Sequence, residues 1–535
     1  MRNRTVLIGL DGATFTILDG LMAEGVMPFL AQFTSGGARA DLRSVIPPLT
    51  PPAWTSLMTG RSPGNHGVFD FFRLASADSR QVRLTTSHDI HCETIWSMAS
   101  RAGLRVTTLN FPLMFPPPHI DGYVVPGGWM PWRQLRLGCY PPDLYDRLKA
   151  LPGFNARELA MDPGLEEKAI EGCSQEEYAD WIELHIRREQ HWFEILRHLM
   201  QIDPCELTAV LFDGVDKLQH LCWRFLDPAC LGESPSPWEL RIRNLCLDYF
   251  RQLDGILAEI VGMAGPDANV VIASDHGFGP TTEIFHVNTW LEQNGYLAWV
   301  GDAGHGENGS QQLGIGQFAR HVFELDWERT TAYVATPSSN GIYIVRAGAG
   351  GAGVPDAEYG RFRQKLIDSL LAFKADGAPV VSRVWTREEA FAGPEQALAP
   401  DITLALRDGG HLSVAGSSEA LVPRQEVKGS HRPEGVFIAG GPAVQAGASL
   451  PQLSILDVTP LLVYSLGLPI PPEFEGRLPE EALDPSFLAA RPPAQAAPGE
   501  PPQPAAGPEK KEEVVFSAED EKIMADRLRA LGYIE

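Results

Sequence analysis

The sequence TVLIGLDG at residues 5–12 is the stretch that predicts the fold, because it is a short apolar run that ends in Gly and Asp. Three later apolar runs also end abruptly in Gly, Asp, Asn or Ser: LRVTTLN at 104–110, LTAVLFDG at 207–214 and ANVVIASDHG at 268–277. Continuous apolar runs of this length are typical of strands covered on both faces of a parallel sheet. We therefore predict an α/β fold with a central, mostly parallel sheet and helices on both faces. Ligands of such sheets bind beyond the carboxyl ends of the strands, so the polar residues after these runs are the first candidates for chemistry.

Two long helices are predicted between these strands. The stretch from Gln175 to Met200 mixes apolar and charged residues at helical spacing, and so does the stretch from about Pro237 to Met263. Either helix can pack on the sheet or belong to an inserted cap.

The chain has 535 residues, of which 44% are hydrophobic and 21% charged, the balance of a globular protein with a sizeable core. We expect one large catalytic domain over residues 1–480, with inserted cap segments at about 112–165 and 300–325. A Pro- and Ala-rich linker is expected at 481–515, because its composition cannot build a core. Helical periodicity returns at 516–535, which we expect to dock on the body as a helix.

The net charge of -24 argues against a protein that coats nucleic acid or an anionic membrane. An acidic protein can still bind phosphate if metal ions supply positive charge. No run of about twenty apolar residues occurs, so no membrane span is predicted, and the first apolar run is too short for a secretory signal. The seven cysteines are scattered without a CxxC pair. We therefore expect reduced thiols and a cytoplasmic location.

Asp11 and Thr50 are the first two candidates for a functional site. Asp11 follows the first strand, where a lone Asp is more often a turn residue than a ligand. Thr50 precedes two prolines and a helical segment, which places it at or just before a helix N-terminus, where free N–H groups favour negative charge. An ordinary N-cap has the same pattern. As a nucleophile, Thr50 would need activation, which a metal ion can supply.

Asp216 and His220 form the next candidate pair. They are four residues apart, so they share one face of a helix and can converge on a single ion. A surface ion pair has the same spacing. Asp213, closer to the end of the strand, is the competing ligand.

Asp275, His276 and His431 complete the candidate set. Asp275 and His276 directly follow the last apolar strand, where a capped turn is the alternative; Gly277 and Gly279 permit the backbone bend that both side chains need to reach one ion. His431 lies in a Gly- and Pro-containing stretch that we predict to be a turn before an apolar strand. The whole set offers only oxygen and nitrogen ligands, a mixture that suits Zn²⁺ or Mn²⁺.

Taken in order, these motifs resemble the type I phosphodiesterase/nucleotide pyrophosphatase branch of the alkaline phosphatase superfamily, especially its bacterial and archaeal phosphohydrolase/phosphomutase members. The similarity runs from LIGLDG at 7–12 to RLRALGYIE at 527–535, and includes TGRSPGNHG at 59–67 and ILDVTPLLVYSLGLP at 455–469. The resemblance implies an alkaline-phosphatase-like fold that binds two divalent ions, Zn²⁺ with Mn²⁺ as the alternative. One ion would lie among Asp11, Thr50, Asp275 and His276, and the other among Asp216, His220 and His431.

The resemblance also implies a hydrolase that cleaves a phosphodiester or pyrophosphate bond of a small soluble substrate, with a nucleotide as one option. Thr50 Oγ would attack phosphorus, a phosphothreonine would form, and water would release the product with net retention. In this family an Asn commonly follows the nucleophile within a few residues, whereas this sequence has Ala53 and Trp54. Other residues must then contact the phosphoryl oxygens. Our substrate-side candidates, each of which could equally be a surface or turn residue, are Asn110, Arg133, His286 and Asn288.

Three other functions compete with this one. A phosphomonoesterase or phosphomutase can use the same two-metal core. A sulfatase is disfavoured, since the Cys/Ser-x-Pro-x-Arg sequence is absent around Thr50. An inactive metal-binding scaffold is disfavoured because the whole candidate set is present. His66, in the SPGNHG motif, is expected to be a structural histidine.

Overall fold

The computed structural model describes residues 4–74, 82–127, 134–159, 173–301, 320–336, 338, 340–348 and 353–496. The strands are β1 (Arg4–Leu10), β2 (Ala38–Arg43), β3 (Phe72–Leu74), β4 (Val82–Leu84), β5 (Val106–Leu109), β6 (Gly122–Val125), β7 (Leu207–Phe212), β8 (Ala268–Ala273), β9 (Gly277–His286), β10 (Ala332–Tyr333), β11 (Gly341–Ile344), β12 (Lys374–Ala375), β13 (Ala378–Pro379), β14 (Val381–Thr386), β15 (Ile402–Leu406), β16 (His411–Ser413), β17 (Leu421–Arg432), β18 (Glu434–Gly440), β19 (Ala448–Ser449) and β20 (Leu453–Ser454).

The α-helices are α1 (Phe15–Ala23), α2 (Pro28–Gly36), α3 (Thr50–Thr59), α4 (Pro63–His66), α5 (Ile95–Arg101), α6 (Leu135–Gly138), α7 (Leu144–Lys149), α8 (Ala156–Leu159), α9 (Glu177–Ile202), α10 (Gly214–Leu226), α11 (Pro228–Leu231), α12 (Pro237–Ala264), α13 (Val287–Gln293), α14 (Arg320–Phe323), α15 (Tyr359–Ala372), α16 (Arg387–Ala390), α17 (Val458–Leu466) and α18 (Pro485–Ala490). Short 3₁₀ helices lie at Ser87–Asp89, Asp356–Glu358, Gln396–Leu398, Arg407–Gly409, Ile455–Asp457 and Glu480–Ala482.

The main sheet has the strand order β19-β2-β18-β8-β1-β7-β5-β6, and β20 pairs with β2. The neighbours from β8 to β6 are all parallel, whereas β18 runs antiparallel to both β2 and β8. The four strands predicted from apolar runs, β1, β5, β7 and β8, therefore belong to one parallel block. The predicted α/β fold with a mostly parallel central sheet is confirmed.

Both faces of this sheet are covered, which explains the unbroken apolar runs. In β1, Val6, Ile8 and Leu10 face one hydrophobic core and Leu7 faces the other. The first core also contains residues of α1, α2, α9, α10 and α12, and the second contains residues of α3, α5 and α17. The two long predicted helices correspond to α9 and α12, and both pack against the sheet.

A smaller α/β unit lies between β9 and β17. In this part of the chain the sequence predicted only an inserted cap at 300–325. It holds the sheet β10-β11-β15-β14 and helix α15, and its own core includes Trp290, Leu366 and Leu404. Strands of two to six residues interrupted by Gly and Pro have too short a pattern for recognition in sequence. The unit joins the main body through the sheet β16-β9-β17.

Two predicted boundaries differ from the structure. The cap predicted at 112–165 contains β6, which is the edge strand of the main sheet. The boundary predicted at residue 480 lies within folded chain, since α18 follows it and the Tyr464 hydroxyl donates to Arg491 O at 2.7 Å. The remainder of the linker and the helix predicted at 516–535 lie outside the described residues. Within the described part, no helix is long and apolar enough to cross a bilayer.

Truncation of a sheet residue should test this packing. Ile8 is 0% exposed in β1, so Ile8→Ala should lower the free energy of unfolding by about 2–5 kcal/mol. Leu240→Ala is the control, since Leu240 is 44% exposed and its truncation should have little effect. Guanidinium unfolding followed by fluorescence measures both variants. Equal destabilisation would contradict the placement of β1 in the middle of the core.

Candidate metal centre

Three adjacent parallel strands bring the acidic candidates to one edge of the sheet. Asp11 follows β1, Asp216 lies in the first turn of α10 after β7, and Asp275 follows β8. Because the order of these strands is β8-β1-β7, their carboxyl ends are neighbours, and the three carboxylates converge there. All three side chains are buried.

Thr50 and His431 approach this edge from other elements. Thr50 is the first residue of α3, which confirms the predicted helix N-terminus. His431 lies in β17 and pairs with Phe278, so the prediction of a turn is wrong. Pairing with β9 continues through Arg432 and outweighs the preference of the Gly- and Pro-containing sequence for a turn. His431 Nδ1 lies 3.0 Å from Pro48 O, which joins β17 to the segment before Thr50.

The first group of side chains consists of Asp216, His220 and His431. Asp216 Oδ1 lies 3.5 Å from His220 Nε2 and 3.3 Å from His431 Nε2. The two Nε2 atoms are 3.1 Å apart. Asp213, the competing ligand, pairs instead with Arg188 Nη2 at 2.9 Å.

The second group contains Asp11, Asp275 and His276, and Thr50 adjoins it. His276 Nε2 lies 3.2 Å from Asp275 Oδ2, 3.7 Å from Asp11 Oδ1 and 3.3 Å from Thr50 Oγ1. The rings of His276 and His431 stack with centroids 3.7 Å apart. The two groups are therefore adjacent.

These separations fit ligands of divalent ions. Two ligands of a tetrahedral zinc ion, each at about 2.0–2.1 Å, are about 3.3 Å apart. Three enclosed oxygens, Asp11 Oδ1, Asp216 Oδ1 and Asp275 Oδ2, have no hydrogen-bond partner among the described residues. Each of these oxygens lies at one of the distances from a histidine Nε2 given above. A cation in each group would satisfy them.

The three histidines are oriented in the same way. In each, Nδ1 lies close to a backbone carbonyl, which can only accept a hydrogen bond, so Nδ1 carries the proton and Nε2 keeps a lone pair. The carbonyls are Gly429 for His220 at 3.3 Å, Gly277 for His276 at 3.2 Å and Pro48 for His431 at 3.0 Å. Lone pairs on His220 and His431 that face each other repel unless a cation lies between them.

Burial shifts the pKa values of the second group toward neutral side chains. Burial raises the pKa of Asp11 well above its ordinary value, and the carboxylates of Asp275 and Asp216 raise it further. Burial also raises the pKa of Asp275 to about 8. It lowers the pKa of His276 well below its ordinary value. Bound cations would stabilise the ionised carboxylates and the neutral imidazole together.

Several contacts that hold the carboxylates of the second group were not predicted from the sequence. The Gly12 N–H donates to Asp275 Oδ1 at 3.0 Å, and Gly12 has a φ of +67° and no room for a Cβ beside Phe278. Trp54 Nε1 donates to Asp11 Oδ2 at 3.4 Å. In the sequence Trp54 is visible only as a departure from the family pattern. The sequence signal for this contact is the position of Trp54, four residues after Thr50 and therefore on the same face of the helix.

His66 has the structural role that the sequence analysis expected. The Val68 N–H donates to His66 Nδ1 at 3.1 Å, and Nε2 lies 2.9 Å from Ser56 Oγ. Burial lowers the pKa of His66 to about 3, so the ring is neutral and both nitrogens serve the local fold.

For two of the substrate-side candidates, Asn110 and Arg133, a substrate contact stays a prediction. Asn110 follows β5 at the same sheet edge with a φ of 65°, and its Nδ2 donates to Leu211 O at 2.8 Å. Its Oδ1 has no partner among the described residues, so a substrate role stays a prediction. Arg133 lies outside the described residues.

The other two substrate-side candidates lie at the end of β9. His286 Nδ1 lies 3.0 Å from Ala415 O, and its role stays a prediction. Asn288 is fully buried and cross-links the small α/β unit, since its Oδ1 accepts from Val334 N at 3.1 Å and its Nδ2 donates to backbone oxygens. These bonds tie the amide to the backbone of Val334 and Val414, and a substrate contact for Asn288 stays a prediction.

Solved structures with the same architecture include two kinds of hydrolase. Phosphonoacetate hydrolase from Sinorhizobium meliloti 1021, in complex with phosphonoformate, has a TM-score of 0.50 at 20% identity, over 87% of this chain and 95% of that chain. Murine ectonucleotide pyrophosphatase/phosphodiesterase 5 has a TM-score of 0.51 at 14% identity, over 90% of this chain and 100% of that chain. An inactive threonine-to-alanine variant of the murine protein, in complex with AMP, has a TM-score of 0.50 at 13% identity, over 87% and 95%. At these identities the likeness shows the alkaline-phosphatase-like fold.

The family comparison covers the site directly. The family described as type I phosphodiesterase / nucleotide pyrophosphatase matches residues 5–433, well over half of the chain. This range includes both groups of side chains, from Asp11 to His431. The matched family is one of metal-dependent hydrolases that act on phosphoesters. The chain belongs to the type I phosphodiesterase/nucleotide pyrophosphatase family, within the alkaline phosphatase superfamily.

Proposed function

We propose that the chain is a two-metal phosphodiesterase or pyrophosphatase that cleaves a small soluble substrate through Thr50. The observation that carries the proposal is the contact between the Thr50 hydroxyl and the second group, with Oγ1 3.3 Å from His276 Nε2. A hydroxyl in contact with one of three clustered ligand atoms is in the place where a bound cation would favour its ionised form.

The two groups would hold two divalent ions, which we propose to be Zn²⁺ with Mn²⁺ as the alternative. The ligands contain only carboxylate, hydroxyl and imidazole donors, which suit both metals. One ion would lie among Asp11, Thr50, Asp275 and His276, and the other among Asp216, His220 and His431. When bound, the ions supply the positive charge that stabilises the phosphoryl oxygens and the leaving oxygen. Three carboxylates and one ionised hydroxyl balance the charge of two divalent ions.

Helix α3 positions the nucleophile. Thr50 Oγ attacks phosphorus in line, the bond from phosphorus to the leaving oxygen breaks, and water then cleaves the phosphothreonine, so two inversions give net retention. Pro51 and Pro52 favour the helical start but have no N–H, and the Ala53 N–H donates to Leu49 O. The Thr50 N–H is thus the donor of this first turn that remains available for a phosphoryl oxygen.

Both kinds of relative are consistent with this chemistry. The murine protein is described as inactive when a threonine is replaced by alanine, and it was solved with AMP. We extend both points to this chain, so that Thr50 is required and a nucleotide is one substrate class. Phosphonoacetate hydrolase binds phosphonates with a single organic substituent. That observation supports a phosphomonoesterase or phosphomutase as the second candidate.

We also retain the cytoplasmic location as part of the proposal. All seven cysteines are free thiols, which suits a reducing compartment.

The metal content of variants should separate the two groups. His431→Gln and His276→Gln each remove one Nε2 ligand, so each should lower the content from about two ions per chain toward one. His119→Gln, which changes an exposed histidine outside the site, should retain both ions. Mass spectrometry of metals in the gel-filtered protein measures this ratio. Full metal content in both site variants would contradict the assignment.

Replacement of the nucleophile should separate chemistry from binding. Thr50→Ala should retain the fold and most of the bound metal, but should lose turnover by on the order of 10³-fold or more, because the covalent route is gone. Thr50→Ser keeps a hydroxyl and should retain far more activity than Thr50→Ala. Initial rates on bis(p-nitrophenyl) phosphate, p-nitrophenyl phosphate and p-nitrophenyl sulfate test the variant and the preferred ester together. Wild-type rates in Thr50→Ala would exclude the proposed nucleophile.

A further inference from the structure

Strand β17 leads from the small α/β unit to the metal centre and carries the cationic side chains Arg424 and Lys428 before it reaches His431. Arg424 is partly buried, and its Nε is enclosed without a hydrogen-bond partner. In the part of the chain that the structure describes, no carboxylate forms an ion pair with Arg424. Burial lowers the pKa of Arg424 to about 10.

His411 lies across β9 from the strand that carries Arg424, and it is electrostatically coupled to both Arg424 and His220 of the metal centre. His411 is in β16, opposite Ile284 of β9, and Val422 of β17 lies opposite the same residue on the other side. Burial lowers the pKa of His411 well below its ordinary value, and electrostatic interactions with Arg424, then with His220 and Lys428, lower it further. His286 also contributes to this effect. We call His286, His411, Arg424 and Lys428 the basic cluster.

The basic cluster is unexpected in a chain with a net charge of -24. A partly buried guanidinium without a counter-ion loses hydration and gains nothing in return. Arg432, on the same strand, differs: its Nη1 donates to backbone oxygens of Gly409, Ser430 and His431 at 3.0–3.3 Å. Arg432 thus serves the local fold, whereas the donors of Arg424 are available for a ligand.

We infer that Arg424, with His411 and Lys428, binds a second anionic group of the substrate on the side of the Asp216, His220 and His431 group. The inference rests on the proposed function, which places the reacting phosphoryl group at the two ions. An anion is the ligand that an enclosed guanidinium pairs with best, because its planar N–H groups match carboxylate and phosphate oxygens.

The strand register gives the size of such a substrate. Phe278 of β9 pairs with His431, and Ile284 of the same strand pairs with His411. At about 3.3 Å per residue the two pairs are on the order of 20 Å apart along the strand, and long side chains shorten the gap to about 10–15 Å. The substrate class is therefore a phosphoester about as long as a nucleotide, with a further phosphate or carboxylate on its leaving group.

Calorimetry on the metal-loaded full chain tests this inference without turnover. The probes are α,ω-alkyl bisphosphonates of increasing chain length, each compared with the alkylphosphonate of equal length that ends in a methyl group. Once the chain spans the gap, the bisphosphonate should bind about 10- to 100-fold more tightly, as expected for a hydrogen bond between charged groups. A third series that ends in a carboxylate shows whether the gain requires a second phosphate or extends to any anion.

Variants test whether Arg424 is responsible for the tighter binding of the bisphosphonate. Arg424→Gln should remove the advantage of the bisphosphonate and leave the alkylphosphonate unchanged, and Arg424→Lys should restore part of it. Arg241→Gln, which removes an exposed charge elsewhere, is the matched control and should bind like the wild type.

Equal binding of both probe series by the wild type at every length would overturn the inference. A full advantage retained in Arg424→Gln would overturn it as well. Hydrolysis of phosphodiesters without any dependence on Arg424 would leave the proposed function intact. Binding through Arg424 in a protein that hydrolyses no phosphoester would contradict the proposed function alone.

Discussion

The structure depends on one electrostatic constraint: the carboxylates of Asp11, Asp216 and Asp275 are buried together at the edge of the main sheet. Buried charges of like sign cost several kcal/mol each unless an opposite charge compensates them. The groups in closest contact are imidazoles, and burial lowers the pKa values of His220 and His276, so these rings supply ligand atoms and no lasting positive charge. Divalent cations are the simplest compensation, and they would use the same enclosed oxygens and Nε2 atoms.

The sequence predicted the part of the site that follows from strand order. Apolar runs that end in Asp identify strands and their carboxyl ends, and parallel strands bring those ends together, so Asp11 and Asp275 could be placed without coordinates. Contacts between distant segments could not be read in the same way. His431 was predicted in a turn because its pairing with Phe278 is not visible in local composition. The backbone groups that bond the Asn288 amide are likewise remote in sequence, so these bonds were not predicted.

The proposed reaction and the proposed specificity depend on two different parts of the fold. The parallel strands and α3 carry the proposed nucleophile and most of the proposed ligands, whereas the small α/β unit contributes its own sheet and core. Strand β17 connects the two parts, since it carries His431 at one end and Arg424 near the other. A single strand can thus set the distance between the reacting phosphoryl group and a second anionic group. The short strands of this unit also made it the least predictable part of the chain.

The most direct test of the account is anomalous diffraction, at the zinc and manganese absorption edges, from crystals of the metal-loaded protein. The account predicts two peaks in the anomalous map, one beside Thr50 and His276 and the other between His220 and His431. A single peak, or ions bound away from Asp11, Asp216 and Asp275, would contradict the claim that two cations compensate the buried carboxylates.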